Sequence, residues 1–390
     1  MNRRVLLRLV GILVLIGAAL VIATSWYASR SGESVQAQVV GLPAPSSEGF
    51  ARVEGPMDLT FPRDHGPHDD FQTEWWYYTG NLATADGRRF GYQLTFFRRA
   101  IMPPIEQNAR SSQWAANQVY LAHFTLSDIS GSNFYAFERL ERGSADLAGA
   151  VGKPLHRVWL RDWSVEQVNA EQYTLYAAQD GIILDLDLTD IKGIILQGDQ
   201  GYSRKGPELG NASIYYSMTR MAASGTITIQ QQQFAVTGES WVDREFSTSA
   251  LSAGQVGWDW FSLQLSDGSE LIVYAIRRAD GAIDSFSRGA WLAADGTVRA
   301  LQKDDFQIEA TGTWISPHSN GRYPSGWQVT VPDLDLQLEV RPLLKDQELN
   351  LTFTYWEGAV EIRGERDGQA VSGYGYVELT GYAQSLEGQF

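Results

Sequence analysis

The chain of 390 residues contains no cysteine. This absence excludes disulfide bonds, thiolate-bound metals, a cysteine nucleophile and a lipid-modified cysteine anchor. Positive charge is scarce as well, because 31 Lys and Arg residues stand against 46 Asp and Glu residues, which gives a net charge of -15. Since nucleic-acid binding needs a concentrated basic face, we expect no nucleic-acid partner.

The sequence also lacks the common motifs of serine hydrolases and of nucleotide-binding proteins. It has no Gly-x-Ser-x-Gly nucleophile elbow and no phosphate-binding loop. Of its five histidines, His65 and His68 lie in the acidic stretch DHGPHDD. Such a pair can bind a divalent cation, but Gly-Pro breaks any helix there and a structural site needs four well-placed ligands. We therefore predict a solvated loop here, loop positions for His156 and His318, and no metal or cofactor.

The N-terminal segment carries a signal for membrane insertion. MNRR supplies positive charge, and the apolar run over about residues 9–27 approaches the roughly 20 residues that span a bilayer. We favour an uncleaved anchor over a cleaved signal, with residues 35–37 as the candidate cleavage site. The positive flank predicts an exported remainder. We assign 1–28 to the signal or transmembrane segment and 29–48 to a polar linker, and we expect an extracytoplasmic, membrane-anchored or secreted protein.

No long amphipathic helical pattern follows after about Phe50. Short alternating or aromatic segments appear instead, such as RFGYQLTFFRR, GIILDLDLTD, GTITIQQQQFAVTG and ELIVYAIRR, bounded by Gly, Asp, Asn or Pro. Aromatic residues make up 12% of the chain, and segments of this composition favour β-strands. Many closely spaced strands predict an all-β protein made of sandwiches or barrels.

One internal echo suggests a duplication. WWYYTGNLATADGRRFGYQLTFFRR (75–99) resembles WDWFSLQLSDGSELIVYAIRR (258–278): aromatics, an Asp-Gly turn, an apolar strand and Arg-Arg follow in the same order. Asp-Gly between two such runs is a strong hairpin signal. A chance match is the alternative to duplication. We predict two similar β-domains, over residues 49–238 and 239–390.

Several motifs resemble those of the carotenoid 1,2-hydratase-like family, also called AttH-like or lipocalin-like predicted secreted hydrolases. They are EWWYYTGNL, YSRKG, ASIYYSMTR, ESWVDREFSTSAL, GWDWFSLQL, NGRYPSGW, YWEGAV and GYVELTGY. The resemblance covers nearly all of the exported chain and implies two consecutive lipocalin-like antiparallel β-barrels. It also implies an apolar, isoprenoid- or lipid-like ligand and acid-base hydration or hydrolysis. The alternatives are a non-enzymatic lipocalin-like binding protein beside a membrane transporter permease, and a structural or partner-binding role.

Two positions depart from the hydratase branch of that family. Members of the branch tend to have Asp-His-x-Trp where this chain has Asp243 followed by Arg-Glu-Phe, and Ser-His-Tyr-Tyr where it has Ile214 after the serine. Both histidines are absent here. The sequence is more similar to the secreted AttH-like branch.

The stretch WVDREF supplies the candidate catalytic residues Asp243, Glu245 and Arg244. In a strand, Trp241, Asp243 and Glu245 share one face and Arg244 lies on the other. A carboxylate in an aromatic barrel lumen acquires a raised pKa by desolvation and can act as a general acid toward an alkene or a leaving group. The alternative is an inter-domain salt-bridge cluster, because buried charges are usually paired.

The candidate ligand-binding residues lie mostly in aromatic strands. Glu74, Trp76 and Tyr78 share one strand face, and their rings either line a ligand lumen or fill a packed barrel. In YSRKG, Lys205 either neutralises a ligand acid, pairs with Asp243, or lies in a surface loop. The remaining candidates are His123, Tyr202, Tyr216, Arg220, Trp241 and Trp260.

Overall fold

The computed structural model describes residues 47–106, 116–249 and 251–387. The predicted membrane segment and nearly all of the predicted linker lie outside these residues. Within them, the helices are four short 3-10 turns at Arg63–His65, Pro104–Glu106, Lys303–Asp305 and Pro332–Leu334. No helix in the described ranges has the length and apolar character needed to cross a membrane.

Thirteen antiparallel strands form the first sheet of the described chain. They are β1 (Thr73–Ala83), β2 (Arg89–Ala100), β3 (Gln118–Asp128), β4 (Asn133–Arg142), β5 (Ala148–Val151), β6 (Arg157–Leu160), β7 (Trp163–Gln167), β8 (Gln172–Gln179), β9 (Ile182–Asp190), β10 (Ile194–Leu196), β11 (Tyr202–Arg204), β12 (Ala212–Ile229) and β13 (Gln232–Ser247). Their order is β4-β3-β2-β1-β13-β12-β9-β8-β7-β6-β5, with β10 and β11 added to β12. The sheet curls into a barrel, and Arg139 of β4 closes it by stacking on the Trp163 ring and donating to the Ala178 carbonyl at 2.9 Å.

Ten antiparallel strands form the second sheet, and two more form a separate ribbon. In chain order they are β14 (Gln255–Leu265), β15 (Glu270–Arg278), β16 (Arg288–Leu292), β17 (Val298–Gln302), β18 (Gln307–Ala310), β19 (Thr313–Ile315), β20 (Arg322–Pro324), β21 (Trp327–Val331), β22 (Leu336–Pro342), β23 (Glu348–Asn350), β24 (Thr354–Arg366) and β25 (Gln369–Leu379). The order is β17-β16-β15-β14-β25-β24-β22-β21-β18, with β23 on β24 and with β19 and β20 forming the ribbon. The predicted all-β architecture of two barrels is confirmed.

The two echoing sequences form hairpins at equivalent places. β1 pairs with β2 and with the last strand of its sheet, β13, while β14 pairs with β15 and with the last strand of its own sheet, β25. Both Asp-Gly turns form as predicted. Gly87 and Gly268 have φ of +89° and +80°, a left-handed conformation that glycine adopts without strain.

The changeover between the sheets comes later in the chain than the expected 238/239 boundary. β13 runs across that point and pairs with β1 and β12 along its length, so it belongs wholly to the first sheet. The second sheet begins at Gln255. The stretch GTITIQQQQFAVTG is also two strands rather than one, because residues 230–231 turn the chain from β12 into β13. Both differences have one cause: the sequence of a strand does not show which other strands pair with it, or where the chain turns back.

Three of the four apolar clusters in the described chain form the two barrel cores and the contact between the barrels. One fills the first barrel around Trp76, Tyr78 and Trp163, and a second fills the other barrel around Trp327 and Trp356. The first barrel's interior is packed with side chains, and the cavity beside Trp76 has about 10 Å³, room for about one water molecule. Of the two roles weighed for the aromatic strand, its inward rings therefore fill the barrel. The third cluster lies between the barrels and positions the candidate site.

Candidate functional site at the barrel interface

Two rows of cross-strand neighbours face each other where the barrels meet. On the first barrel, Tyr77 of β1 and Ser217 of β12 both lie directly opposite Asp243 of β13. On the second barrel, Glu378 of β25 lies opposite both Trp260 of β14 and Glu357 of β24. Because each strand sends alternate side chains outward, these rows place carboxyls and aromatic rings in one contact layer.

Asp243 is a nearly buried carboxylate held by three donors. Its Oδ1 accepts hydrogen bonds from the Ser217 hydroxyl at 2.5 Å and the Trp241 indole at 2.8 Å, and its Oδ2 accepts one from the Tyr215 hydroxyl at 2.5 Å. Burial raises the pKa of Asp243 to about 7, although all three hydrogen bonds oppose the rise. At neutral pH this carboxyl can therefore both accept and donate a proton.

Aromatic side chains enclose this carboxyl from both barrels. The Trp260 indole donates to the Tyr215 hydroxyl at 3.1 Å, which itself donates to Asp243. The Trp260 ring packs edge-on against Tyr77 and Trp241, with centroid distances of 5.2 and 6.4 Å. Asp243 thus lies between the barrels, and the expectation that it lies in a barrel lumen was wrong. Desolvation raises its pKa at this contact as it would in a lumen.

The second barrel contributes two further carboxyls, those of Glu357 and Glu378. Glu357 is fully buried and accepts a hydrogen bond from Tyr77, while its Oε2 atom makes none. Burial, reinforced by the charge of Glu378, raises the pKa of Glu357 well above its ordinary value. Glu378 accepts a hydrogen bond from the Trp258 indole at 2.8 Å, and burial raises its pKa to about 7. These surroundings therefore favour the protonated form of Glu357.

Lys205 and Glu245 form an ion pair at the edge of this layer. Their side chains are 2.9 Å apart, and the Lys205 ammonium lies 4.6 Å from the centre of the Tyr274 ring of the second barrel. Burial lowers the pKa of Lys205, but the charge of Glu245 outweighs it and the pKa is raised. Lys205 is thus paired with Glu245 and not with Asp243, the partner weighed from the sequence, and its side chain is one-fifth exposed.

Arg244 lies on the opposite face from Asp243, inside the first barrel. It forms an ion pair with Glu74, which also binds Arg98 at 2.7 Å and His68 at 2.8 Å. Burial raises the pKa of Glu74, but the two guanidinium groups outweigh it and hold that pKa well below its usual range. The Arg244 guanidinium also stacks on Trp76 at 3.9 Å. This group of charges stabilises the barrel interior and does not contact the interface layer.

Residues of the DHGPHDD stretch are also inside, so the prediction of a solvated loop was wrong. Asp64 and His65 are buried, and His65 lies 2.8 Å from the Tyr216 hydroxyl. His156 lies in a loop as expected, but its side chain is buried beside the His65 ring. Burial lowers the pKa of His65 to about 3 and that of His156 well below its ordinary value, so both rings are neutral. His65 and His156 line the small cavity inside the first barrel together with Trp76 and Tyr216.

The other predicted ligand-binding residues are dispersed. Trp241 and Trp260 belong to the interface layer, whereas Tyr78 and Tyr216 lie within the first barrel. Arg220 does not reach Asp243, because it pairs across the interface with Glu270 at 2.5 Å. The other two lie apart again. Tyr202 packs beside Phe246 at the edge of the first barrel, and His123 contacts Tyr355 of the second barrel at 2.7 Å.

The sequence interpretation assigned no role to Glu357, Glu378 or Tyr77. Both glutamates lie within recognised motifs, YWEGAV and GYVELTGY, where each interrupts a run of apolar residues. A carboxyl inside an otherwise apolar strand is the signal that could have identified them, since an unpaired buried carboxyl is rare. Their meeting with Asp243 depends on the contact between the barrels, which no local pattern encodes.

This fold and this layer define a class of all-β proteins with two lipocalin-like barrels and buried carboxyls at the barrel contact. The chain belongs to the AttH-like family, whose model matches residues 52–382. No curated protein sequence is significantly similar to it.

Solved structures agree with this assignment. A crystal structure of an AttH-type protein from Nitrosomonas europaea is 35% identical, with a TM-score of 0.76, and the match covers 85% of this chain and 100% of that one. Kievitone hydratase from Nectria haematococca is 14% identical with a TM-score of 0.64, covering 87% and 98%. CghA is 12% identical with a TM-score of 0.51, covering 87% and 97%. The last two likenesses establish the shared fold.

Proposed function

We propose that the protein adds water to a carbon–carbon double bond of an apolar, isoprenoid- or lipid-like substrate, or catalyses the reverse elimination. The observation that carries this proposal is the contact layer itself. It holds Asp243 of the first barrel and Glu357 of the second, two buried carboxyls with raised pKa values, among aromatic rings. The kievitone hydratase that shares the fold supports the same class of reaction.

The two carboxyls have different surroundings, which divides their roles. Glu357 has one donor and one unpartnered oxygen, so it holds a proton and delivers it to one alkene carbon. Asp243 has three donors that stabilise its ionised form, so it takes a proton from water as the water oxygen bonds to the other carbon. The double bond thereby gains one hydrogen and one hydroxyl. Asp243, first expected as the proton donor, becomes the base.

The aromatic rings favour the intermediate that this chemistry requires. Protonation of an isolated double bond leaves positive charge on carbon, and the faces of Trp and Tyr rings attract such a charge. Tyr77, Trp241 and Trp260 surround the carboxyls. The same rings exclude bulk water and make the site apolar, which suits a hydrocarbon substrate.

Substrate entry requires movement at the rim of the layer. The gap beside Trp241 and Tyr376 has no room for a water molecule, so the resting interface is closed. Trp75, Trp258 and Leu251 are partly exposed and pack against the layer from its edge. We place the entrance there. The N-terminal apolar segment would keep the protein at a membrane, where lipid-like substrates are stored.

Product formation in oxygen-18 water tests the proposal. The full chain is incubated with acyclic isoprenoids and unsaturated lipids, and products that gain one labelled water are sought by mass spectrometry. We expect Asp243→Asn and Glu357→Gln to lower the rate by at least about 100-fold. The matched control is Glu348→Gln, which alters a buried carboxyl held by Ser316 and Ser319 away from the interface. Full activity in Asp243→Asn would refute the assignment.

A second function, binding without reaction, is favoured by the aromatic layer alone. It predicts that an apolar molecule copurifies with the chain and is lost in Trp260→Ala but retained in Asp243→Asn. Native mass spectrometry of the full chain separates the two functions. A ligand that stays unchanged in both the wild type and Asp243→Asn supports binding, for instance in delivery to a transporter permease.

A further inference from the structure

We infer that Glu357 exchanges its proton with solvent through a relay that crosses from one barrel to the other, made of Glu138, His123 and Tyr355. The inference rests on the proposed function, in which each hydration consumes the proton of a fully buried carboxyl. It assigns positioning and proton-transfer roles to three residues outside the carboxyl layer.

Two short contacts and one shared strand face connect the residues of the relay. Glu138 Oε2 of β4 lies 3.0 Å from His123 Nε2 of β3, and His123 Nδ1 lies 2.7 Å from the hydroxyl of Tyr355 in β24. Tyr355 and Glu357 are two residues apart in β24, so their side chains share one face of that strand, and the Tyr355 hydroxyl opposes the rise in the pKa of Glu357. The two ring nitrogens of His123 therefore each contact a different proton carrier, and a histidine so placed can take a proton on one side and release one on the other.

Two details at the inner end favour transfer. Gln93 donates its amide to the Tyr355 oxygen at 3.2 Å, so the single hydroxyl hydrogen of Tyr355 is available for His123 or for Glu357. The Oε2 atom of Glu357 is buried and has no hydrogen-bond partner within the described chain. An unpartnered buried oxygen is unfavourable, and a small rotation of the Tyr355 hydroxyl would satisfy it.

The outer end opens to solvent. The Glu138 side chain is 20% exposed, whereas His123 and Tyr355 are buried. Thr352 of the second barrel donates its hydroxyl and its backbone N–H to Glu138, at 2.6 and 3.2 Å. Burial raises the pKa of Glu138, but the hydrogen bonds from His123 and Thr352 outweigh burial and the pKa is lowered. Glu138 is therefore a carboxylate that can accept a proton from solvent.

Other groups near Glu357 define the competing route. Tyr77, Tyr376 and Glu378 also face it, and Glu378 is partly exposed at the opposite edge of the layer. Protons that enter through Glu378 would bypass His123. Glu378→Gln therefore distinguishes the two directions of entry.

Infrared spectroscopy of the full chain tests the relay without a substrate. The carboxylic-acid C=O stretch of Glu357 is assigned by its loss in Glu357→Gln, and its shift after mixing with D2O gives the exchange rate. We expect His123→Leu and Tyr355→Phe each to slow this exchange by at least about tenfold. Exchange should persist in Glu378→Gln, which removes the competing route, and it should be unchanged in His318→Leu, which removes an exposed histidine paired with Asp346. Tyr355→Phe keeps the packed ring and guards against misfolding in the histidine variant.

The outcomes separate the relay from the proposed reaction. Wild-type exchange in both His123→Leu and Tyr355→Phe would overturn the relay, and so would slow exchange in Glu378→Gln alone. Absence of any protonated Glu357 band at neutral pH would overturn both the relay and the acid role of Glu357. Slowed exchange as expected, together with no product from any alkene, would leave the relay standing and remove only the hydration proposal.

Discussion

Tyr77 and Asp243 lie directly opposite each other on adjacent strands, yet the Tyr77 hydroxyl donates to Glu357 of the other barrel. Asp243 receives its hydrogen bonds from Tyr215, Ser217 and Trp241 of its own barrel. The side chain of Tyr77 thus links the two sites: Glu357 accepts one hydrogen bond, from Tyr77, whereas Asp243 accepts three. In the proposed reaction this asymmetry distinguishes the acid from the base, and it makes that proposal testable through pH.

Ser217→Ala removes one donor from Asp243 and should move the acidic limb of the pH–rate profile upward. The Ser217 hydrogen bond lowers the pKa of Asp243, which burial otherwise raises. Without it the pKa rises from about 7 by about one unit. A base must be ionised, so activity should fall at neutral pH and recover at higher pH. The measurement is the rate of labelled-water addition across a pH series.

Thr79→Val is the control for this experiment. Thr79 lies two residues from Tyr77 on the same strand face, and its buried hydroxyl makes no hydrogen bond. We expect its profile to match that of the wild type. If Asp243 donated the proton instead, Ser217→Ala would extend activity at the alkaline limb, and the roles of the two carboxyls would have to be exchanged.

The interface carboxyls also predict how stability depends on pH. The pKa values of Asp243 and Glu378 are raised to about 7 in the folded state by burial. The folded chain therefore holds protons that the unfolded chain has released near pH 4. Their contribution is fully present below that pH and is lost as the pH rises through about 7, by up to about 4 kcal/mol for each group. Urea unfolding should show greater stability at about pH 5 than at pH 8.

The variants Asp243→Asn and Glu378→Gln should flatten that slope, because neither side chain titrates. Asp333→Asn, which alters an exposed partner of Arg299, should leave it unchanged. A dependence of the free energy of unfolding on pH that is the same in the wild type and in both variants would contradict the raised pKa values.

Local pattern predicted much of the fold but little of how the barrels meet. Alternation correctly separated Asp243 from Arg244, since a strand turns successive side chains to opposite faces. The two Asp-Gly turns were predicted because glycine relieves a left-handed turn. The sheet to which β13 belongs was not predicted, because its partners are set by long-range pairing. The sequence did not predict the site for the same reason, because Glu357 joins it through a hydrogen bond from Tyr77 of the other barrel.

The departure at Arg244 illustrates the same limit. By the resemblance described above, that position tends to be histidine in the hydratase branch, and this chain has arginine. Here the position faces the interior of the first barrel, where Arg244 pairs with Glu74 and stacks on Trp76. The residue stabilises the barrel of this chain whatever the position does in relatives.

Glu74→Gln should destabilise the first barrel severely. Glu74 is fully buried, and its loss leaves the guanidinium groups of Arg98 and Arg244 without their carboxylate. Removing one partner from such a buried group costs about 3–5 kcal/mol. The pKa of Glu74 is lowered in the folded state, so its contribution is present above its ordinary pKa and is lost as the pH falls. Urea unfolding at neutral and acidic pH should show a deficit that shrinks in acid.

Glu166→Gln provides the comparison for Glu74. Its carboxylate pairs with Arg157 at 2.9 Å, but both side chains are exposed. Exposed pairs contribute less than about 1 kcal/mol, so this variant should unfold close to the wild type. Equal effects of the two substitutions would mean that burial does not strengthen the Glu74 group.

Arg220→Met should loosen the coupling between the two barrels. Arg220 of β12 binds Glu270 of β15 at 2.5 Å and donates to the carbonyls of Leu265 and Ser269, at 3.1 and 3.3 Å. Lys192 also binds Glu270, at 2.6 Å, so the carboxylate keeps one cation after the substitution. The variant still loses several charge-assisted bonds across the contact, at about 2–4 kcal/mol.

Two separate transitions in urea, followed by tryptophan fluorescence, are the expected result for Arg220→Met, because each barrel keeps its own core of tryptophans. Arg139→Met is the matched control, since Arg139 closes the first barrel against Trp163 and makes no bond to the second. It should lower stability while leaving one cooperative transition. A single unchanged transition in Arg220→Met would mean that the aromatic layer alone couples the barrels. Substrate entry would then have to proceed by ring movement at the rim, with the barrels fixed.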